Sequence, residues 1–535
     1  MRTPLAPRGT ASRVLCAWAL GLTLAGAGSA QTPFQPGLRW RAPPNAALPT
    51  IPKSLAFTAG GNFVWTAANG PFTRLQLFAA HADGQVLAPL AEVTPVGALG
   101  ALCIAGSDAE DALFALVQMP APDSTHRATV VSCYSALGAA STGSLNTVWN
   151  FDSGLRANGP ARLACNANGT RVFVANWNGP VPQMRIDVLD GVTGMSLANT
   201  LLYAAALNEM CVSADGSRAA IVAGQSLWFV DGTAAPLHQE LLPLATSAIA
   251  LSGNGALCAV GGPRVRVLSQ TPPSYSLQFE VLGNPGEVAT RVALSRDGST
   301  LAIGWWNATT GVDLRFEIVD VASHARLFQR ALQGVSGGLQ NAPEVVRITP
   351  NGSRAALGAW GDGVATPELL LWDKVANAVV LEADLSGSVF ALDLDASGRR
   401  LAVGVKGAHA NQFAASGEFR LHDTGEGETT VLEAPRIGGV MRVAARVPGA
   451  IYTAFLSGPR AANPIVLAGI GGTLALDRAT LIVQRRTADS SGLAELSVSI
   501  PNDPGLIGTY RHLQTAFFVN GAWTIGATVL DVLVY

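Results

Sequence analysis

The sequence predicts an all-β protein: a β-propeller of eight blades, or seven if one irregular unit is not a blade, followed by a small β-sandwich. Three observations carry that reading. The first is composition: 58 Gly and 31 Pro in 535 residues, with only 13 % charged. Glycine-rich turns between short apolar runs favour sheets over helices. The second is the stretch 290–306, T-R-V-A-L-S-R-D-G-S-T-L-A-I-G-W-W, in which an apolar strand enters, Asp297-Gly298 reverses it and a second strand leaves. Asp-Gly supplies the positive φ angles that tight hairpins use. The third is recurrence: from Gly61 to Gly398 similar turns return at spacings of 39 to 62 residues. A period near 40–50 residues with four short strands per unit is the mark of a propeller.

Taken in order, the chain opens on a targeting segment. Arg2, Arg8 and Arg13 flank or precede the apolar run Val14 to Ala25, and Gly28-Ser29-Ala30 offers small residues for cleavage. That is the layout of a secretory signal peptide, so residues 1–30 are expected to be removed and the rest secreted or held at the cell surface. No later stretch is long and apolar enough to span a membrane as a helix. Residues 31–50 are Pro-rich and expected to be extended. The propeller is assigned to 31–440 and the C-terminal module to 441–535.

Within each repeat a second strand follows the turn, as in Arg171-Val-Phe-Val-Ala and Arg400-Leu-Ala-Val-Gly. A third strand ends in an acidic residue: Asp190, Asp231, Asp320, Asp373 or Asp423. These carboxylates suit turn caps. The pattern resembles the WD40-like and YVTN-type propellers, whose blades read "SPDG…lavG…v.lwD", and Trp372-Asp373 supplies a literal Trp-Asp pair. The resemblance covers roughly residues 51–434 and implies a fold rather than an activity, because propellers host unrelated functions. Further on, Asp489 to Gly508 with Gln514 is similar to a C-terminal module found on many exported bacterial proteins.

Charge excludes one class of partner. The formal net charge is −2, and loss of the first thirty residues with their three arginines makes it −5. A mildly acidic chain without a basic stripe is a poor nucleic-acid binder. Five cysteines lie beyond residue 30: Cys103, Cys133, Cys165, Cys211 and Cys258. Export permits disulfides, and Cys165–Cys211 and Cys103–Cys133 are conceivable pairs, but an odd count leaves at least one thiol over. Seven histidines stand singly, without the H-x-x-x-H spacing of a helical metal site. There is no G-x-S-x-G elbow and no P-loop, so no catalytic residue, metal ligand or cofactor is assigned.

Tryptophan stands above this background. Trp177, Trp306 and Trp360 each fall eight residues after their turn glycine, at Gly169, Gly298 and Gly352. The resemblance implies that the end of the second strand lies on the face opposite the hairpin turns, so the three rings share a rim. There they either wedge between blades or present an aromatic surface, with Asn176, Asn178, Asn307 and Asp362 as adjacent polar groups. The function expected is therefore an exported, non-catalytic binding or scaffold protein with a protein or carbohydrate ligand. The alternative is a propeller enzyme of the lactonase or quinone-dependent dehydrogenase type, with a metal or cofactor in the central channel.

Overall fold

The computed structural model describes residues 37–42, 50–58, 61–69, 73–80, 87–94, 102–107, 111–120, 127–157, 159–178, 181–272, 274–364, 366–414, 416–424, 429–433, 436–447, 450–467, 470, 473–490, 492–507, 509–519 and 521–534. The signal-peptide segment lies outside them, as do His81 and His126. Among the described residues up to 424 the chain forms eight consecutive four-stranded antiparallel sheets. Their first strands are Ile51–Thr58, Leu102–Gly106, Ala161–Cys165, Leu207–Val212, Ile249–Leu251, Glu287–Leu294, Pro343–Ile348 and Val389–Leu394. Each packs beside the first strand of the next sheet, and the eighth lies beside the first. The repeated sheets are what a propeller-like architecture requires.

The hairpins explain why the repeat folds as it does. Ser295 Oγ donates to Asp297 Oδ1 (2.6 Å) and accepts from Thr300 N (3.0 Å), while Asp297 also accepts from Ser299 N (2.9 Å). Ser213, Ser252 and Thr349 close their hairpins in the same way. Only the glycine takes the left-handed conformation (Gly298, φ 73°); Asp297 stays at negative φ and works as an acceptor. The acidic third-strand ends are caps, as their turn residues suggest: Asp190 accepts from Thr193 N, Asp231 from Thr233 N and Asp320 from Ser323 N.

One sheet is not contiguous. The eighth takes its outer strand from the N-terminus: Gly37–Ala42 pairs antiparallel with Gly417–Asp423. The segment 31–50, expected to be merely extended, thus contains a paired strand. Trp40 from this strand is fully buried and stacks on Phe78 of the first sheet, centroids 5.1 Å apart. Arg39 pairs with Asp423 at 2.6 Å.

Cores lie between neighbouring sheets. Trp305 joins residues of the fifth and sixth sheets, including Ala259, Val265 and Leu301. Its indole N–H donates to Glu317 Oε2 (2.8 Å), and Arg315 lies 5.0 Å over its ring. Arg315, 2 % exposed, is held between Glu287 (2.6 Å) and Glu317 (2.5 Å), and Arg326 also reaches Glu317 (2.7 Å). Burial opposes the Arg315 charge, but the two carboxylates outweigh it and raise its pKa.

After residue 424, Thr429–Glu433, Val440–Arg446 and Leu493–Ser499 form one sheet. This sheet begins ahead of residue 441. Ile482–Thr487, Ala450–Gly458, Tyr510–Val519 and Ala522–Leu533 form a second, and Val443, Leu496, Phe455 and Phe517 share a core between the two. The motif residues of this region are structural: Gln514 accepts from Ala475 N, and Asp489 from Leu493 N. Among the described residues no helix is long and apolar enough to cross a membrane.

Candidate functional site in the axial cavity

The first strands of all eight sheets line one cavity of roughly 950 Å³. Its wall is apolar in the middle, with Leu55, Ile104, Leu163, Met210, Ile249 and Val292 at matching strand positions. The end away from the hairpin turns is charged. Lys53, Arg162, Glu209, Arg291 and Glu344 stand there, with Phe390.

Bulges place part of this set. In five sheets the ladder between first and second strands skips one residue: Lys53, Asn208, Thr290, Glu344 and Phe390. A bulge re-aims a side chain and interrupts pairing, and such irregularities collect next to functional sites. Each bulged residue lies five positions before the polar residue that closes its hairpin, for example Glu344 before Thr349. Aligned on that residue, the repeats carry Lys53, Asn208, Ser247, Thr290 and Glu344 at one position of the first strand, a pattern legible in the sequence.

Neighbouring sheets clasp one another across the mouth. Arg162 Nε pairs with Glu209 Oε1 at 3.1 Å, and Arg291 Nη2 with Glu344 Oε1 at 3.3 Å. Deeper, Arg347 approaches Asp393 at 3.7 Å, and Phe57 N donates to Asp393 (3.0 Å). Burial pushes the Asp393 carboxyl up, while Arg347 pulls it back down. Toward the hairpin turns a smaller cavity of about 210 Å³ is lined by Asn166, Ala214, Gly253, Leu294 and Arg296.

All five described cysteines are free, so neither conceivable disulfide forms. Cys103, Cys165 and Cys211 line the large cavity. Cys103 donates to Leu163 O and Cys165 to Gly106 O, each on the neighbouring sheet. Burial holds Cys165 up at about 12 and raises Cys103 and Cys211 as well, so these thiols remain protonated at neutral pH.

The tryptophans at the strand ends are half-buried, and each spends its indole N–H internally. Trp177 donates to Ala204 O (3.2 Å), Trp306 to Gly311 O (3.3 Å) and Trp360 to Glu344 Oε2 (2.9 Å). Trp177 packs into the core between the third and fourth sheets. None of the three lines either cavity, though Trp360 braces Glu344 at the mouth of the larger one. Asn176 is fully buried and donates to Ser153 Oγ (3.3 Å). Asn307 caps its own turn through Thr309 N and Thr310 N. Asp362 is buried and accepts from Val364 N and Thr366 N. The Asn178 side chain lies outside the described residues.

Two buried titrating groups lie in the last two sheets. Glu368 is 1 % exposed, and a Cβ on Gly361 (φ 70°) would stand 2.0 Å from its Oε1. His409 Nδ1 faces the same oxygen at 3.4 Å. Burial, reinforced by Asp384, pushes the Glu368 carboxyl from 4.5 to about 7. His422 is 4 % exposed, and neither ring nitrogen has a partner among the described residues. Burial, with Arg420 beside it, draws it from 6.5 to about 4.

The signs of these shifts are opposite. Glu368 contributes stability that is full below pH 4.5 and lost as pH rises through about 7. His422 contributes stability that is full above pH 6.5 and lost as pH falls through about 4. Each shift corresponds to about 3 kcal/mol, so the two slopes offset one another between those limits. Glu368→Gln is expected to add about 2–3 kcal/mol at pH 8 and almost nothing at pH 4. His422→Leu is expected to show the reverse dependence. Urea denaturation across pH checks both, and a pH-independent difference would contradict the assignment.

Among the described residues, no three His, Cys, Asp or Glu side chains are grouped to hold a metal ion. No protein-family model matches the chain, and no curated protein matches it either.

Proposed function

We propose that this chain is an exported, non-catalytic binding protein, built as a closed eight-bladed WD40-like propeller with a C-terminal β-sandwich module. Its ligand is a small polar molecule held in the axial cavity. The observation that carries this reading is that strands from all eight sheets contribute to one cavity of roughly 950 Å³. That volume falls within the range of small-molecule sites, and the charged groups at its mouth and Arg347 and Asp393 deeper in suit a polar ligand. Ion pairs between neighbouring sheets, Arg162–Glu209 and Arg291–Glu344, hold the mouth in shape without a ligand. Pre-organisation of that kind lowers the cost of binding.

Thermal-shift screening of small polar solutes tests the proposal. A ligand is expected to raise the melting temperature of the mature protein by about 2–4 °C near saturation. Ser247→Trp, which fills the mouth from the fifth sheet at a residue outside both ion pairs, is expected to remove that rise. A rise that persists in Ser247→Trp would place binding elsewhere, and no rise with any solute would count against a small ligand.

A further inference from the structure

We propose that Lys53, whose ammonium shares the Phe390 ring with the buried Lys406, forms an anion-docking site at the charged mouth, where the carboxylate or phosphate group of a small ligand sits. This rests on the axial-cavity reading above and names the chemistry of its ligand.

Lysine is scarce in this chain. Of 35 basic residues only three are lysines, at positions 53, 374 and 406. Lys374 donates to Thr300 Oγ1 (3.2 Å), across from the seventh sheet to the sixth. The other two converge on one phenyl ring: Lys53 Nζ stands 4.6 Å from the Phe390 centroid and Lys406 Nζ 5.4 Å. They reach it from different sheets, Lys53 from the first and Lys406 from the end of Arg400–Lys406 in the eighth.

The charge pattern around the mouth singles this place out. Arg162 and Arg291 are each clasped by a carboxylate of the next sheet. Lys53 has no carboxylate within ion-pair distance among the described residues. Lys406 uses one donor on Ala410 O (2.7 Å) and keeps two. Cations held over an aromatic face are stabilised only in part, because the ring supplies no charge to neutralise them. A compact ammonium with rotatable donors suits a single anionic group. Lys53 and Phe390 are both bulged residues, so the backbone irregularity that disturbs each ladder aims both members of the site.

The electrostatics agree with the geometry. Burial lowers the Lys53 pKa, with Glu344 opposing, and burial together with the charge of Lys53 lowers that of Lys406. An anion at Lys53 would oppose both effects.

The experiment is amine acylation of the full mature protein, followed by peptide mass spectrometry, with inorganic phosphate or succinate as the probe. Lys374 is the internal reference. One of the two anions is expected to slow Lys53 acylation by about fivefold or more relative to Lys374. Protection by phosphate alone assigns a phosphate ligand, and protection by succinate alone a carboxylate. Lys53→Met is expected to abolish any anion-induced rise in melting temperature. If neither anion changes the Lys53 rate, the anion site is overturned. If Lys53→Met keeps the temperature rise while Ser247→Trp loses it, the cavity binds its ligand without Lys53, and only this inference fails.

Discussion

Arg315→Met is expected to cost about 3–5 kcal/mol of folding stability, because it leaves two buried carboxylates without their principal cation. Glu317 and Glu287 are 1 % and 9 % exposed in their pair with Arg315, and Glu317 also accepts from Trp305. Arg326 cannot replace Arg315: it is itself 54 % exposed and reaches only the second oxygen of Glu317. The loss should shrink at low pH, where the stranded carboxylates take up protons. It should also shrink in Arg315→Met/Glu317→Gln, which removes one of the two buried charges. Denaturant titration of the single and double variants measures this. Equal losses in both would mean that packing on Trp305, rather than charge, is what Arg315 supplies.

Trp40→Ala is expected to cost a comparable amount, about 3–5 kcal/mol. The ring is fully buried and stacks on Phe78 at 5.1 Å, so it joins the outermost strand of the eighth sheet to the first. Its indole N–H has no partner among the described residues, so Trp40→Phe should lose far less. The two tryptophan variants, compared by urea denaturation and by proteolysis at the N-terminal strand, separate loss of volume from loss of the strand itself. An alanine variant as stable as the parent would show that the eighth sheet does not need this anchor.

Much of the fold is legible in the residues. The hairpins are written locally: a Ser or Thr, an Asp or Asn two positions later and a glycine next to it close the same set of hydrogen bonds wherever they occur. Most of the acidic strand ends are equally local, since Asp190, Asp231, Asp320 and Asp373 each cap the turn that follows, whereas Asp423 pairs with Arg39 instead. The N-terminal strand is different. Gly37–Ala42 carries none of the repeat's turn chemistry, and its partner lies 384 residues away at Asp423, so nothing local announces the pairing.

The site was harder to read for a related reason. Lys53, Phe390 and Glu344 are distant in sequence and belong to different sheets. Each looks like a stray residue in an apolar strand until a bulge is counted. The tryptophans at the strand ends were conspicuous by type, yet each indole N–H is committed to a neighbouring carbonyl or carboxylate. The tryptophans serve packing, whereas Lys53, one of only three lysines, lines the cavity.

The N-terminal outer strand also sets an order of events. Gly37–Ala42 is synthesised before every other described strand, but its partner Gly417–Asp423 arrives only after seven sheets have passed. The eighth sheet therefore cannot assemble as the chain emerges, and its closure waits for a loop of several hundred residues to be brought together. Contacts of that separation slow folding far more than they alter stability. Until then Trp40 and the edge of Gly417–Asp423 remain open to other chains, so the return of the N-terminal strand is where this fold is exposed to mispairing.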